Sequence, residues 1–310
     1  MALNRAEWRF VYVRMSFRPA APAFALGLGL LSTGCTVTVD SHSEIVREER
    51  RYSVDGRADL RVSTFDGSIE IQAWDKPDVV VEIEKRGPSK ESIESLQIAA
   101  SQKGRIIELE VKRPKRESFS GIGLHRSAVA SLIVRVPAGT DVRAQSGDGS
   151  IRISRVNGRI DLRTEDGSIR ASDVTGELSL DSGDGSITVD GAEGRLDLDT
   201  SDGSVNVTGR LSVIRLHTGD GSIVYRAQPG TSMSEPWEIT TGDGSVSLYL
   251  PPDFSAELDA HTGDGSIRND LDVEAAGEER ERRTLRGRIG SGGKLLRIRS
   301  GDGTIRLRAN

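Results

Sequence analysis

Ile160-Asp161-Leu162-Arg163-Thr164-Glu165-Asp166-Gly167-Ser168-Ile169 decides the fold, because Leu178-Ser179-Leu180-Asp181-Ser182-Gly183-Asp184-Gly185-Ser186-Ile187 writes the same pattern 18 residues later. Asp-Gly, then Ser or Thr, then Ile or Val occurs nine times, starting at Asp66, Asp148, Asp166, Asp184, Asp202, Asp220, Asp243, Asp264 and Asp302, and four of the eight intervals are 18 residues. A fixed period of this size marks stacked, near-identical units.

Reading outward from each Asp gives columns that repeat copy after copy. Six residues before it stand Leu60, Val142, Ile160, Leu178, Leu196, Ile214, Trp237, Leu258 and Leu296, and two before it only Ser or Thr, from Thr64 and Ser146 to Thr262 and Ser300. Three after it the aliphatic column resumes, at Ile69, Ile151, Ile169, Ile187, Val205, Ile223, Val246, Ile267 and Ile305. Spacing by twos is strand alternation, so these side chains share an inner face and each repeat holds two short strands. A three-faced hexapeptide helix would need an aliphatic residue at every sixth position, a spacing that is absent. The pattern predicts an all-β fold, a right-handed parallel β-solenoid with two faces and about 18 residues per coil. Asp148, Gly149, Asp166, Gly167, Asp184, Gly185, Asp202, Gly203, Asp220 and Gly221 are the expected structural turn residues. Each Asp is expected to bond its following amides as an Asx-turn, and each Gly to supply a positive φ. Gly158, Gly176 and Gly194 mark the opposite turn.

Of the 310 residues 4% are aromatic and 35 are Gly, a composition that suits narrow coils with aliphatic interiors. The 42 basic and 47 acidic residues give a net charge of −5, which offers no footing for nucleic-acid binding. A single Cys excludes a disulfide or zinc framework. Its position carries the information: Arg5, Arg9, Arg14 and Arg18 precede a short apolar run from Ala20 to Leu31, which leads through Ser32-Thr33-Gly34 to Cys35. This resembles a bacterial lipobox, in which Cys35 receives the lipid, although Ser32 stands where Leu is commoner. The organisation expected is a signal peptide over 1–34, starting at Met1 or Met15, a lipid-anchored tether over 35–44 and a solenoid over 45–310. A membrane reached through the lipid is then a partner, and Thr36 after the Cys points to the outer membrane of the cell envelope.

The 82-residue interval between Asp66 and Asp148 contains strand-like alternation at 78–83, 105–111 and 130–136, which reads as degenerate coils. Lys112 to Arg126 reads as an exposed loop, and the Glu- and Arg-rich stretch from Asp272 to Arg288 as a solvated excursion. With the strand columns, Val136-Pro137-Ala138-Gly139-Thr140-Asp141-Val142, the repeated turns and Gly290-Ser291-Gly292-Gly293, the chain resembles the bacterial putative-adhesin family of β-strand-repeat domains of unknown function, over about Ile45 to Asn310. The resemblance implies a secreted or membrane-attached β-solenoid and brings no catalytic residues.

Two chemical alternatives have residues behind them. Calcium-binding β-rolls also use 18-residue coils, but each nine-residue half brings Gly-Gly-x-Gly-x-Asp; here one turn per coil has an Asp and the second half-motif is missing. A carbohydrate-active β-helix enzyme would place acids and bases outward, and Asp181, Asp199 and His217 stand on successive coils three residues before the turn Asp. Charged side chains are the default on an outward face, and His42, His125, His217 and His261 lack metal spacing. The sequence therefore reads as a non-enzymatic, lipid-anchored protein of the cell envelope, without cofactor or metal. It would present an adhesin-like or scaffolding surface to an envelope polysaccharide or protein.

Overall fold

The computed structural model describes residues 9–11, 44–112, 128–275 and 283–310. Cys35 and most of the expected leader and tether lie outside these residues. Arg9–Val11, within the expected leader, pairs antiparallel with Arg47–Glu49.

Each repeat supplies one strand that runs into the Asp-Gly turn and one that leaves it. The entering strands stack in parallel through Thr140–Ser146, Asn157–Thr164 and Thr175–Ser182, and Ile160, Leu178, Leu196 and Ile214 face one another at intervals of one 18-residue coil. The leaving strands stack likewise, Ile151 on Ile169 on Ile187 on Val205. Ile187–Thr200 and Val205–Thr218 each continue around the glycine turn as one long strand, which joins the two faces into a single sheet, of 24 strands among the described residues. Alternate side chains point inward and form one continuous aliphatic core, in which Ile160, Leu178, Leu196, Ile214, Ile151, Ile169 and Ile187 are buried. The fold is all-β and solenoid-like.

The interval from Asp220 to Asp243 is longer than a regular coil, and the extra residues loop out between Ala227 and Trp237. The core widens there and is filled by rings. Trp237 meets Tyr225 edge-on at 5.7 Å and Phe254 at 5.3 Å, its indole N–H donates to Ser212 O (3.1 Å), and the Tyr225 hydroxyl donates to Gly209 O (3.3 Å). Burial pushes the Tyr225 hydroxyl far above the usual tyrosine range, so it remains a donor.

Both ends depart from sequence order. Ile106–Lys112 stacks on the entering strand Ala58–Thr64, and Val129–Pro137 on the leaving strand Ile69–Trp74, so these two strands make the expected degenerate coil. Ala58–Trp74, earlier in the chain, sits inside them, against the coil of Asp148. The segment expected as a third degenerate coil differs: Val79–Gly87 runs antiparallel to both Val129–Pro137 and Glu44–Tyr52, and Gln97–Lys103 antiparallel to Ile106–Lys112. They close the stack rather than extend it. A one-turn helix, Lys90–Glu94, bridges them and begins with a capping box between Ser89 and Ser92.

At the other end the last coil is inserted. Leu295–Ser300 lies between Trp237–Thr241 and Ala256–Thr262, and Ile305–Ala309 between Val246–Leu250 and Ile267–Asn269. The stretch expected as a solvated excursion contributes Val273–Ala275 and Thr284–Ile289, the latter antiparallel to Ala256–Thr262. Antiparallel closure suits a parallel stack, because a reversed strand presents a different hydrogen-bond pattern to any further coil.

Candidate functional site

The turn edge is built by hydroxyls and glycines. Ser182 Oγ accepts from Gly185 N–H in its own turn (3.1 Å) and donates to Gly167 O of the coil before it (3.0 Å). The arrangement recurs at Ser146 with Gly149 and Gly67, and at Thr218 with Gly221 and Gly203. These hydroxyls are buried, and each satisfies two backbone groups that water does not reach.

The glycines answer to proximity. A Cβ on Gly149 would lie 1.9 Å from Gly67 O, and one on Gly185 2.0 Å from Gly167 O. The expected positive φ is found at Gly67 but not at Gly149, Gly167, Gly185, Gly203 or Gly221; at the opposite turn Gly176 and Gly194 do adopt it. Among the described residues no turn Asp carboxylate accepts an amide bond, so the hydroxyl two residues earlier makes the turn and the expected Asx-turn is absent. Asp148, Asp166, Asp184, Asp202 and Asp220 point outward and are exposed, one per coil along a single edge.

On the entering face charge is locally balanced. A shallow groove of about 540 Å³ near the glycine turns is lined by Arg57, Asp59, Arg61, Asp141, Arg143 and Arg159 among others. Arg61 pairs with Asp59 (2.9 Å) and Glu108 (3.3 Å), Arg57 with Asp141 (3.5 Å), Arg143 with Asp161 (3.2 Å) and Arg159 with Glu177 (2.9 Å). Toward the far end, burial raises the Asp259 carboxyl, but hydrogen bonds from Arg299 and Arg286 outweigh it and hold the group below the usual aspartate range. The column of Asp181, Asp199 and His217 is brought side by side on adjacent strands, exposed on the open sheet. Among the described residues no three His, Cys, Asp or Glu side chains are grouped to hold a metal.

The leaving face is different. Arg152, Arg170, Arg226, Arg268 and Arg306 project outward from it, and among the described residues none has a carboxylate within 4 Å. Arg226 stacks over the Tyr249 ring at 4.7 Å, with Arg308 6.0 Å from the same ring. Arg152, Arg170, Arg268 and Arg306 each stand four residues after a turn Asp, so the repeat alignment carries the signal that could have found them, whereas Arg226, six after its Asp, joins them only through coil stacking.

The family profile of Toastrack DUF4097 matches residues 58–308, the span of the stacked coils. The chain belongs to the Toastrack family. Three solved structures similar to this Toastrack chain are a putative adhesin from Parabacteroides distasonis (12% identity, 84% of this chain and 96% of that one, TM-score 0.40), one from Parabacteroides merdae (10%, 84% and 95%, 0.39) and one from Bacteroides fragilis (11%, 84% and 96%, 0.37). Among curated proteins none matches.

Proposed function

We propose that this Toastrack chain is a non-enzymatic, lipid-anchored protein of the cell envelope, probing its surroundings with an adhesin-like surface on a right-handed parallel solenoid. The observation that carries this reading is the contrast between constant interior and varied exterior. Core and turn positions repeat coil after coil, whereas outward positions change from coil to coil along broad, open faces. Such faces favour many shared weak contacts over a single enclosed reaction centre. The anchor rests on the apolar run that ends at Gly34-Cys35.

Two experiments test the proposal. The purified chain is passed over immobilised envelope glycans: retention without cleavage supports it, and depolymerisation would replace it with the enzyme reading. Fatty-acid labelling of cells producing the native chain or Cys35→Ala tests the anchor. Label should depend on Cys35, and label retained by the variant would overturn that part.

A further inference from the structure

We infer that the leaving face carries an arginine strip that binds a linear acidic polysaccharide; this rests on the adhesive-surface reading and names its ligand class. From Ile151–Ser154 to Ile267–Asn269 the leaving strands make seven successive parallel pairings, a run of about 34 Å at the usual strand spacing. Arginines cluster at both ends. Arg152 stands directly opposite Arg170, and Arg268 directly opposite Arg306. Arg226, Tyr249 and Arg308 follow one another on three adjacent strands.

Like charges placed opposite each other on neighbouring strands destabilise a sheet. The entering face also has such pairs, Arg61 opposite Arg143 and Asp181 opposite Asp199, but sets carboxylates beside many of its arginines, as Asp161 stands opposite Arg143 and Glu238 between Arg215 and Arg297. The leaving face does so only sparsely: Glu70 lies beside Arg152, and Asp270 pairs with Arg308 at 3.6 Å. A ligand that brings its own anions would relieve the remaining repulsion. Stacking on Tyr249 holds the Arg226 guanidinium, leaving its N–H groups to grip a carboxylate or phosphate in a bidentate way.

Between the two clusters the outward positions are Thr188, Asn206, Thr208 and Ser247, hydroxyls and an amide suited to sugar hydroxyls, with Asp190 as an acidic and Val224 as an apolar exception. Three pairings, about 14 Å, separate Arg170 from Arg226. That is sparse against a nucleic acid, which carries a phosphate every ~3.4 Å along each strand. A membrane surface would call for inserted apolar side chains, and the one large hydrophobic that is exposed among the described residues, Ile45, lies at the far end of the stack. The row of exposed turn aspartates would keep a polyanion off the neighbouring edge.

The test compares the purified full chain with two triple variants of equal charge change, Arg226→Gln/Arg268→Gln/Arg306→Gln on the strip and Arg163→Gln/Arg215→Gln/Arg297→Gln on the entering face. The probes are alginate, neutral dextran, a DNA duplex and anionic phospholipid vesicles. The native chain should prefer alginate, with an affinity that falls as salt rises. The strip variant should bind it about tenfold more weakly or worse, the other within about twofold of native. Without ligand the strip variant should melt no lower than native, since repulsion is removed, and alginate should raise the native melting temperature but not the variant's. Equal weakening in both variants, or a native preference for DNA or vesicles, would overturn the inference. Retention of envelope glycans without any affinity for alginate would remove the acidic ligand and leave the adhesive reading standing; retention of neither would remove both.

Discussion

At Ser182 one oxygen closes a turn and joins two coils, accepting from Gly185 N–H and donating to Gly167 O. Ser182→Ala leaves two buried backbone groups without partners, at a cost of about 1–3 kcal/mol. Asp184 is exposed and holds no amide, so Asp184→Ala should stay within about 0.5 kcal/mol. Gly185→Ala drives a methyl to 2.0 Å from a neighbouring backbone oxygen, and because backbone cannot swing aside the cost should reach or exceed the ~1–3 kcal/mol usual for overpacking. Urea denaturation of the three variants should give the order Gly185→Ala, Ser182→Ala, Asp184→Ala, from most to least destabilised. An Asp184→Ala loss larger than that of Ser182→Ala would restore the carboxylate as the turn-maker. The hydroxyl and glycine columns were legible in the sequence, since both repeat without exception. Their division of labour was not: a polar residue shortly before Gly spells an Asx-turn and a hydroxyl turn alike, and only the stacked neighbour shows that Gly is needed for closeness rather than for positive φ.

Strands of the central coils were legible because alternation and period agree, so Ile169 could only lie on Ile151 and Ile187. The end strands were not, because the same alternation is written in Val79–Gly87, which runs antiparallel, and in Val129–Pro137, which runs parallel to its inner neighbour. Spatial order escaped too: Ile305–Ala309, last in the chain, is enclosed between two strands rather than lying at the edge. The closing strand Thr284–Ile289 is instead tied down by Arg286, which shares Asp259 with Arg299. The folded pKa of Asp259 lies below its unfolded value, so its contribution is full above the unfolded pKa and is lost as pH falls through the folded one, below about pH 4. Arg286 is well exposed, which limits the gain to about 1 kcal/mol or less. Native protein should therefore exceed Asp259→Asn in urea midpoint at pH 7, by a margin that shrinks as pH falls below the usual aspartate range. A difference that is constant across this range would show that the ion pair contributes nothing to closure.

Across the whole molecule, stability should follow coil number, since each coil touches only its neighbours and the core is one continuous column. Deleting Asp166 through Gly183 removes one 18-residue coil and joins Glu165 to Asp184. Both flanking coils keep the regular register, so Ile151 would meet Ile187, Ile160 would meet Leu196 and Gly158 would meet Gly194, with Thr164 inheriting the turn of Gly185. The hydroxyl column and the glycine approach both survive, and one interface is lost. Deleting only nine residues, Asp166 through Val174, removes a leaving strand and sets one entering strand directly after another. The chain must then leave a gap in one face or slip, exposing large apolar side chains at about 1.5–3 kcal/mol each. The shorter deletion should accordingly be the more damaging, aggregating or melting far below the 18-residue deletion, which should retain a cooperative transition close to native. Thermal unfolding followed by circular dichroism distinguishes the two. Indistinguishable melting curves would mean that the coil is not the unit in which this fold stores its stability.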